Sequence, residues 1–390
     1  MKNKLSTSAV AALISLAALS ANADQVISAN TSSTFNASGG DIIISGGVTM
    51  DSTSGNALRV DGVNVNNLTN NGSVFQSRAG TAINFNSLNS SATIINNGQI
   101  GRYNGSNSTN TGPGIILDSK ASVINNGFID GTGQGLITVN SGASGSSITN
   151  NGGIGTNYQA FFGIKVAAST TLSDLTNASE KSIKGLYAVA NNGTITNLTN
   201  YGLISGYHWV NAPALADGTI VNLTNYGSIL ASHSGTAITS SVTNLANAQG
   251  AKTGVALSIA NLATNYNVIV NSSNDFGKLS VQNASGSMAF GINNGSTIAA
   301  DTIYSNVLTG LNGTSAGSSI TGTGFTVTGA TGVLNGLNYS LIANSITSGG
   351  WDLVVGSSVN PVPEADTSAM LLMGAGVMGF MARRRKNTQA

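Results

Sequence analysis

The chain has 390 residues, of which 41% are hydrophobic and only 7% are charged, and it contains 50 glycines, 4 prolines and no cysteine. Disordered chains combine low hydrophobicity with high charge, so this composition excludes an intrinsically disordered protein. The lack of cysteine excludes disulfide bonds and thiolate metal sites. Abundant Asn, Ser, Thr and Gly favour short strands separated by turns.

Residues 1–23 have the three parts of a secretory signal peptide. Lys2 and Lys4 form the basic start, and an apolar run follows from Ala9 to Leu19. Ala21 and Ala23 are spaced as the small residues of a cleavage site. The sequence therefore predicts an N-terminal signal helix, removed by cleavage after Ala23, and an exported mature chain.

A short seven-residue pattern then recurs through the chain. It begins with an aliphatic pair, or with an aliphatic residue and Thr, followed by Asn. The next residue is Asn or Tyr, and then come Gly, any residue, and Ile or Val. Its key asparagine recurs in steps of 22 to 29 residues, at positions 70, 96, 125, 150, 177, 200, 225 and 247. A second short aliphatic strand opened by Gly precedes most copies. Repetition at this period is typical of solenoids.

Asn-Gly is also a β-hairpin signal, so we weighed an antiparallel meander against a solenoid. A hairpin would place strands of comparable length on both sides of each turn, whereas here the same order recurs without mirrored arms. We therefore predict a right-handed parallel β-helix over residues 45–265, with coils of about 25 residues and left-handed glycine corners. Eight or nine coils would form a rod of roughly 40 Å, and residues 24–44 would cap its first edge.

The repeated asparagine has two structural interpretations. Stacked coils would place equivalent amides about 4.8 Å apart, close enough for a hydrogen-bonded ladder; alternatively, each asparagine makes its own Asx-turn. Neither interpretation makes these residues catalytic. Beside them, we expect a buried aliphatic stack of Ile95, Ile124, Ile148 and Leu198.

From Tyr266 onward the repeat is no longer recognisable, and residues 266–355 are predicted to form a β-rich terminal module. Its expected core anchors are aromatic: Phe276, Phe290, Tyr304, Phe325, Tyr339 and Trp351. A solenoid followed by a module that ends in a Trp-containing strand resembles the passenger region of bacterial autotransporter adhesins. That resemblance implies an adhesin-like role, although here a linker at 356–361 stands where an autotransporter continues into a membrane barrel.

The C-terminal segment 362–390 has three parts. Val362, Pro363 and Glu364 precede an apolar stretch from Thr367 to Ala382, which we predict to be a short helix. A basic cluster follows it, consisting of Arg383, Arg384, Arg385 and Lys386. The apolar stretch is shorter than the ~20 residues of a comfortable membrane span, and the cations would hold its end in the cytoplasm.

This tail resembles the PEP-CTERM sorting signal of Gram-negative bacteria, with Ala365 standing where the family usually has a second proline. The resemblance implies that an exosortase-type membrane protease recognises and removes the tail, after transient anchoring in the inner membrane. It further implies a host that makes exopolysaccharide. The destination would be the cell surface, outer membrane or extracellular matrix.

Parallel β-helices also serve as polysaccharide lyases and hydrolases, so we searched for clustered carboxylates. Asp118 and Asp130 could lie near one another on successive coils, but solvated turn residues are the simpler interpretation. His208 and His233 lie one coil apart and could stack, yet a two-histidine site lacks a third ligand. The sequence therefore predicts no catalytic, cofactor-binding or metal-binding residues.

Processing at both ends would leave nine basic and thirteen acidic residues between positions 24 and 364. A net charge of about −4 without a basic stripe argues against nucleic-acid binding. The sequence thus favours an exported structural or adhesive protein of the cell surface or matrix, and not an enzyme. Exopolysaccharide or other surface glycans are its expected partners. The alternative is a β-helix polysaccharide lyase or hydrolase.

Overall fold

The computed structural model describes residues 23–53, 55–76, 80–101, 112–131, 135–155, 161–207, 212–233 and 235–356. Over these residues the fold is nearly all β, and the chain winds into a β-solenoid of about ten turns, which confirms the predicted parallel β-helix. The predicted signal helix and the predicted helix of the sorting tail lie outside these residues. A short 3₁₀ turn spans Ser141–Ala143, and no helix in the described ranges is long and apolar enough to cross a membrane.

Each complete turn contributes one strand to each of three faces, which we call A, B and C. In one such turn, Ala121–Asn125 lies on face A, Phe128–Asp130 on face B and Ile137–Val139 on face C. Each strand pairs in parallel with its equivalents in the preceding and following turns. The hydrogen bonds therefore run along the solenoid axis, and the side chains alternate between the interior and solvent.

Face A holds the longest sheet that the structure describes. Its fifteen described strands, in spatial order, are Gln25–Ile27, Gly40–Ile44, Val65–Asn70, Ala92–Asn96, Ala121–Asn125, Ser146–Asn150, Thr171–Asn177, Thr194–Asn200, Thr219–Asn225, Ser241–Asn247, Asn265–Val268, Gly286–Ile292, Phe325–Thr328, Ser319–Gly322 and Gly313–Ala316.

Face B is shorter. Its eight strands within the described ranges are Thr49–Ser52, Ser73–Gln76, Gln99–Gly101, Phe128–Asp130, Gly153–Ile154, Ser182–Gly185, Leu203–Gly206 and Ser228–Leu230.

Face C consists of two sheets linked by bridges from Leu215 to Ile238 and from Ile238 to Ile259. The described strands of the first sheet are Phe35–Asn36, Leu58–Val63, Ile83–Ser87, Ile115–Leu117, Ile137–Val139, Phe162–Val166, Tyr187–Asn191 and Leu215–Ala216. Those of the second are Leu257–Asn261, Leu279–Asn283, Thr302–Thr309, Trp351–Val355, Leu337–Ala343 and Thr331–Leu334. A separate small hairpin pairs Val270–Ser272 with Asp275–Phe276.

An aliphatic column inside face A forms much of the core. Its members are Leu68, Ile94, Val123, Ile148, Leu175, Leu198, Leu223 and Leu245, all at most 1% exposed. The predicted stack was right at Ile148 and Leu198 but wrong at Ile95 and Ile124, which are half-buried on the outer side. Their neighbours Ile94 and Val123 hold the inner positions, because a shift of one residue moves a strand side chain to the opposite face.

The glycines at the corner between faces A and B have a different role from the one predicted. Gly98, Gly127 and Gly152 do not have positive φ angles. Each of them instead packs against the turn before it: a Cβ on Gly98 would overlap the carbonyl oxygen of Gly72, and the next two glycines repeat this relation. Close approach of successive turns, and not a left-handed backbone, therefore requires glycine here.

The parallel ladder extends beyond the predicted solenoid at both ends. Gln25–Ile27 pairs in parallel with Gly40–Ile44, so the segment predicted as a cap supplies strands to face A. Asn265–Val268 and Gly286–Ile292 continue the same parallel sheet, although the sequence repeat has faded there. Antiparallel strands follow, including Trp351–Val355. Of the predicted aromatic anchors, five are buried and Tyr339 is half-buried.

Candidate functional site

The repeated asparagines form a continuous ladder inside the solenoid. In every pair from Asn70 to Asn247, the Nδ2 atom of one residue donates to the Oδ1 atom of its equivalent in the next turn, over 2.7–2.9 Å. All eight side chains, at positions 70, 96, 125, 150, 177, 200, 225 and 247, have no exposed surface. The predicted ladder is confirmed.

The same amides also fasten face A to face B. The Nδ2 atom of Asn96 donates to the Phe128 carbonyl at 3.2 Å, and that of Asn125 donates to the Gly153 carbonyl at 3.2 Å. The Oδ1 atom of Asn70 accepts from the Gly72 backbone N–H at 3.1 Å, as in an Asx-turn. Both proposed roles of the asparagine therefore coexist, and they satisfy buried polar groups that would otherwise be costly.

A glutamine ends this network where face B stops. Ser228–Leu230 is the final face B strand among the described residues. Beyond it, the side-chain Oε1 of the buried Gln249 accepts from the backbone N–H of Ile229 at 2.7 Å and from Nδ2 of Asn225 at 3.1 Å. Its Nε2 donates to the Ile229 carbonyl at 3.2 Å. One side-chain amide thus replaces the peptide groups of a further strand.

A second column of polar side chains lies on the outer side of face A. Asp174 begins it, and Asn197, Asn222, Asn244 and Asn265 each donate from Nδ2 to the residue one turn earlier, over 2.7–2.9 Å. An amide has two N–H donors and two acceptor lone pairs. The bonds along the column therefore leave each asparagine with further capacity to bind groups in solvent.

Two exposed tyrosines occupy the corner between faces A and B. The backbone N–H of Tyr201 donates to the Asn177 backbone carbonyl, and that of Tyr226 donates to the Asn200 backbone carbonyl, both at 2.8 Å. The two tyrosines therefore hold equivalent positions in successive turns. Their ring centroids are 5.1 Å apart with planes only 5° from parallel. The side chains are 48% and 47% exposed. Consecutive copies of the motif LTNYG therefore produce a stacked aromatic pair on the surface.

The positions that flank this pair along the corner carry different residues. The backbone N–H of Ala178 donates to the Asn150 carbonyl, and that of Ala248 donates to the Asn225 carbonyl. The two alanines therefore hold the same corner position, one turn before Tyr201 and one turn after Tyr226. In earlier turns the corner is lined by asparagines, with Asn151 donating to Asn126 at 3.0 Å. The tyrosine stack is thus bounded by alanine on both sides.

The carboxylates singled out in the sequence do not form a pair. Asp118 follows the face C strand Ile115–Leu117, whereas Asp130 ends a strand of face B, so the two lie on different faces. Asp130 is only 6% exposed, so it is not the solvated turn residue that the sequence favoured. Asp118 accepts hydrogen bonds from Asn84 at 3.1 Å and from Asn140 at 2.6 Å. It therefore braces neighbouring turns.

The other predicted site residues divide between the described and undescribed parts of the chain. His233 is described, with a positive φ of 53°, but His208 is outside the described residues, as are Ala21 and the sorting-tail residues 362–390. Within the part that the structure describes, no three His, Asp or Glu residues are grouped as metal ligands.

Asp61 and Tyr266 are two of the three ionisable groups with shifted pKa values in the described part of the chain; the third is the half-buried Tyr339, whose pKa is also raised by burial. A hydrogen bond from Asn86, followed by the hydrogen bond and positive charge of Arg59, lowers the pKa of Asp61. Burial raises the pKa of the Tyr266 phenol well above its ordinary value. The first shift stabilises an exposed carboxylate, and the second keeps an interior phenol neutral, so neither creates an acid or base for neutral pH.

Comparison with known proteins gives one match: the family model of the PEP-CTERM protein-sorting motif matches residues 361–386. No curated protein and no solved structure is similar to the chain. The predicted motif is thereby confirmed, and it indicates an exported protein with a membrane-associated C-terminal signal for exosortase processing.

Proposed function

We propose that the mature protein is a structural or adhesive component of the cell surface or extracellular matrix, delivered there by its C-terminal sorting signal. The observation that carries this proposal is the outer surface of face A, where uncharged amides, hydroxyls and aromatic rings recur at one strand spacing along a continuous sheet. A regular surface of this kind suits repeated weak contacts with a matrix polymer or a neighbouring cell.

The interior supports a rod-like role. The asparagine ladder, the aliphatic column and the Gln249 cap join each turn to the next. In a solenoid each repeat contacts mainly its neighbours, so stability grows turn by turn and the outer surface can vary without loss of the fold. A long, firm surface is useful for attachment and needs no enclosed cavity.

A non-enzymatic role is also part of the proposal, and the contacts of the carboxylates support it. Asp118 binds two asparagine amides, Asp174 starts the outer asparagine column, and Asp352 accepts from the Asn306 backbone N–H at 2.7 Å and from the Asn344 amide. These groups brace turns and loops of the solenoid.

Processing would determine where the rod is finally placed. Cleavage near Pro363 and Glu364 would separate the folded solenoid from Thr367–Ala382 and the four cations behind it. The rival is a permanent tail anchor that keeps the cations on the mature protein. In either case, the proposed role requires the solenoid to lie outside the inner membrane.

Cell fractionation with an antibody against the solenoid tests the proposal. We expect wild-type protein in the surface or matrix fraction, and a variant with Pro363→Ala and Glu364→Ala retained with the inner membrane. Ala365→Pro, which introduces the second proline usual in the family, is the matched control and should be delivered normally. Wild-type protein found entirely in the periplasm or free in the medium would refute a surface or matrix role.

Incubation of purified protein with acidic and neutral polysaccharides separates this function from the enzymatic alternative. We expect no new reducing ends and no unsaturated uronides. Their appearance in proportion to protein concentration would establish a β-helix lyase or hydrolase instead.

A further inference from the structure

We propose that the stacked pair Tyr201–Tyr226, together with the outer asparagine column of face A, binds a neutral polysaccharide chain. This inference rests on the proposed surface or matrix role and specifies the class of polymer and the place where it binds. The open ring face, the low charge of the surroundings and the row of polar groups support it.

The first step is the geometry of the tyrosine pair. Each ring covers one face of the other, because the planes are nearly parallel and the centroids are 5.1 Å apart. The second face of Tyr201 points along the corner towards the position of Ala178, which is only half-buried. A further ring placed over Ala178 would lie about one strand spacing, ~4.8 Å, from Tyr201. The corner thus offers an open aromatic face above a small residue.

On the other side of the pair the corner is closed. Ala248, one turn after Tyr226, is only 6% exposed, so little room remains for a ligand there. The open direction of the stack is therefore the side of Tyr201 and Ala178. This asymmetry identifies Ala178 as the position at which a substitution would block the aromatic face.

The second step is charge. The outward positions on Thr194–Asn200 and Thr219–Asn225 hold threonine, asparagine and one valine, none of them charged. At the corner beyond Ala178, Glu180 and Lys181 carry opposite charges. Asp174, at the start of the outer column, adds one negative charge. A surface with this charge repels a phosphate or an acidic polysaccharide, which favours an uncharged ligand.

Polar groups also line the outer side of the strands that end at the two tyrosines. Asn197, Asn222, Asn244 and Asn265 follow the solenoid axis, and each has amide capacity left for solvent. Threonine hydroxyls at Thr199 and Thr224 form a parallel row. A pyranose ring has apolar C–H faces and a rim of hydroxyls, so it can stack on a tyrosine while its hydroxyls bond to amides and threonines. A chain of such rings matches all three features.

Affinity electrophoresis of the mature exported protein tests this inference, with neutral β-linked glucan or mannan in the gel and alginate as the acidic comparison. We expect the neutral polymers to retard wild-type protein. Combined Tyr201→Ala and Tyr226→Ala substitutions should weaken binding by on the order of tenfold or more, because aromatic residues dominate such contacts. Tyr207→Ala is the matched control, since Tyr207 is 42% exposed at a different corner, and its binding should be unchanged.

Ala178→Leu provides a second test that does not depend on removing a side chain. A leucine would cover the open face of Tyr201 without offering an aromatic face of its own, so binding should fall while the circular dichroism spectrum and unfolding midpoint are maintained. Equal retardation of wild-type protein and both variants, retardation by alginate alone, or no retardation by any neutral polymer would overturn the inference.

Sedimentation of the same samples tests whether this surface binds a second copy of the chain instead of a polysaccharide. If wild-type protein self-associates and the tyrosine variants do not, face A is a contact between copies and the polysaccharide inference is wrong. Protein that is delivered to the surface or matrix but fails to bind neutral polysaccharide would reject this inference and leave the proposed function standing.

Discussion

Replacing Gln249 by leucine removes one side-chain amide at the place where face B ends. Its Oε1 accepts from the Ile229 backbone N–H at 2.7 Å and from the Asn225 amide at 3.1 Å, and its Nε2 donates to the Ile229 carbonyl. The ladder bonds that involve its own backbone, 2.8 Å and 3.1 Å from Asn247, do not require the side chain. The substitution therefore isolates the capping role.

The expected loss follows from the two donors left without acceptors in a buried site. Each unsatisfied buried group costs about 1–3 kcal/mol, so Gln249→Leu should lower the free energy of opening of the adjacent turns by roughly 2–6 kcal/mol. Leucine adds apolar burial, which favours the lower half of that range. A loss of about 3 kcal/mol corresponds to an increase in local amide exchange on the order of a hundredfold.

Hydrogen–deuterium exchange measures this effect where it arises. The peptide containing Ser228–Leu230 should lose protection, while peptides around Ala92–Asn96, several turns away, should keep theirs because repeats interact mainly with neighbours. Gln282→Leu is the matched control, because Gln282 is exposed on a neighbouring strand, and exposed substitutions usually change stability little. Unchanged exchange in Gln249→Leu would refute the capping role.

Three further predictions concern the core, an exposed carboxylate and the tail. Leu198→Ala should lower the free energy of unfolding in urea by about 2–5 kcal/mol, whereas Ile124→Ala on the outer side should cost no more than about 1 kcal/mol; equal losses would mean that the inner register is wrong. Because the folded pKa of Asp61 is lowered, its stabilising contribution is present above the ordinary carboxyl pKa and is lost as the pH falls through the folded value. Asn86→Ala should raise the pKa of Asp61 in an NMR titration. An unchanged pKa would show that the hydrogen bond from Asn86 does not lower it. Intact-mass measurement of exported protein should find a C-terminus near Glu364, and an unprocessed mass would favour the permanent anchor.

Much of the fold could be predicted because the repeat is local and regular. The spacing of the key asparagines located the turns, and the buried ladder from Asn70 to Asn247 follows from stacking them. The register within each strand was harder. Ile94 and Ile95 are adjacent and equally apolar, and each pairs with an aliphatic residue of the next turn, Val123 or Ile124. The two-residue alternation with the buried Asn96 is what places Ile94 inside.

Other features depend on relations between turns that a single repeat does not display. Gly98 and its equivalents are required by the approach of a neighbouring carbonyl, which becomes visible only when turns are stacked. The capping role of Gln249 could not be predicted, because it depends on where the strands of face B end. The tyrosine pair had a readable signal, because Tyr201 and Tyr226 replace the second asparagine in consecutive copies separated by one turn. Recognising the pair required asking which positions of the repeat lie on the outer surface once the turns are stacked.

The two asparagine columns of face A have opposite polarity. In the inner column each N–H points towards the C-terminal end, as from Asn125 to Asn150, whereas in the outer column Asn222 donates back to Asn197. Asp174 explains the outer direction, because a carboxylate accepts and cannot donate when ionised. The amide dipoles of the two columns therefore oppose one another along the rod. No single asparagine can rotate its amide by half a turn without setting donor against donor. Asp174 and the backbone groups bonded to the inner amides also prevent either column from reversing as a whole.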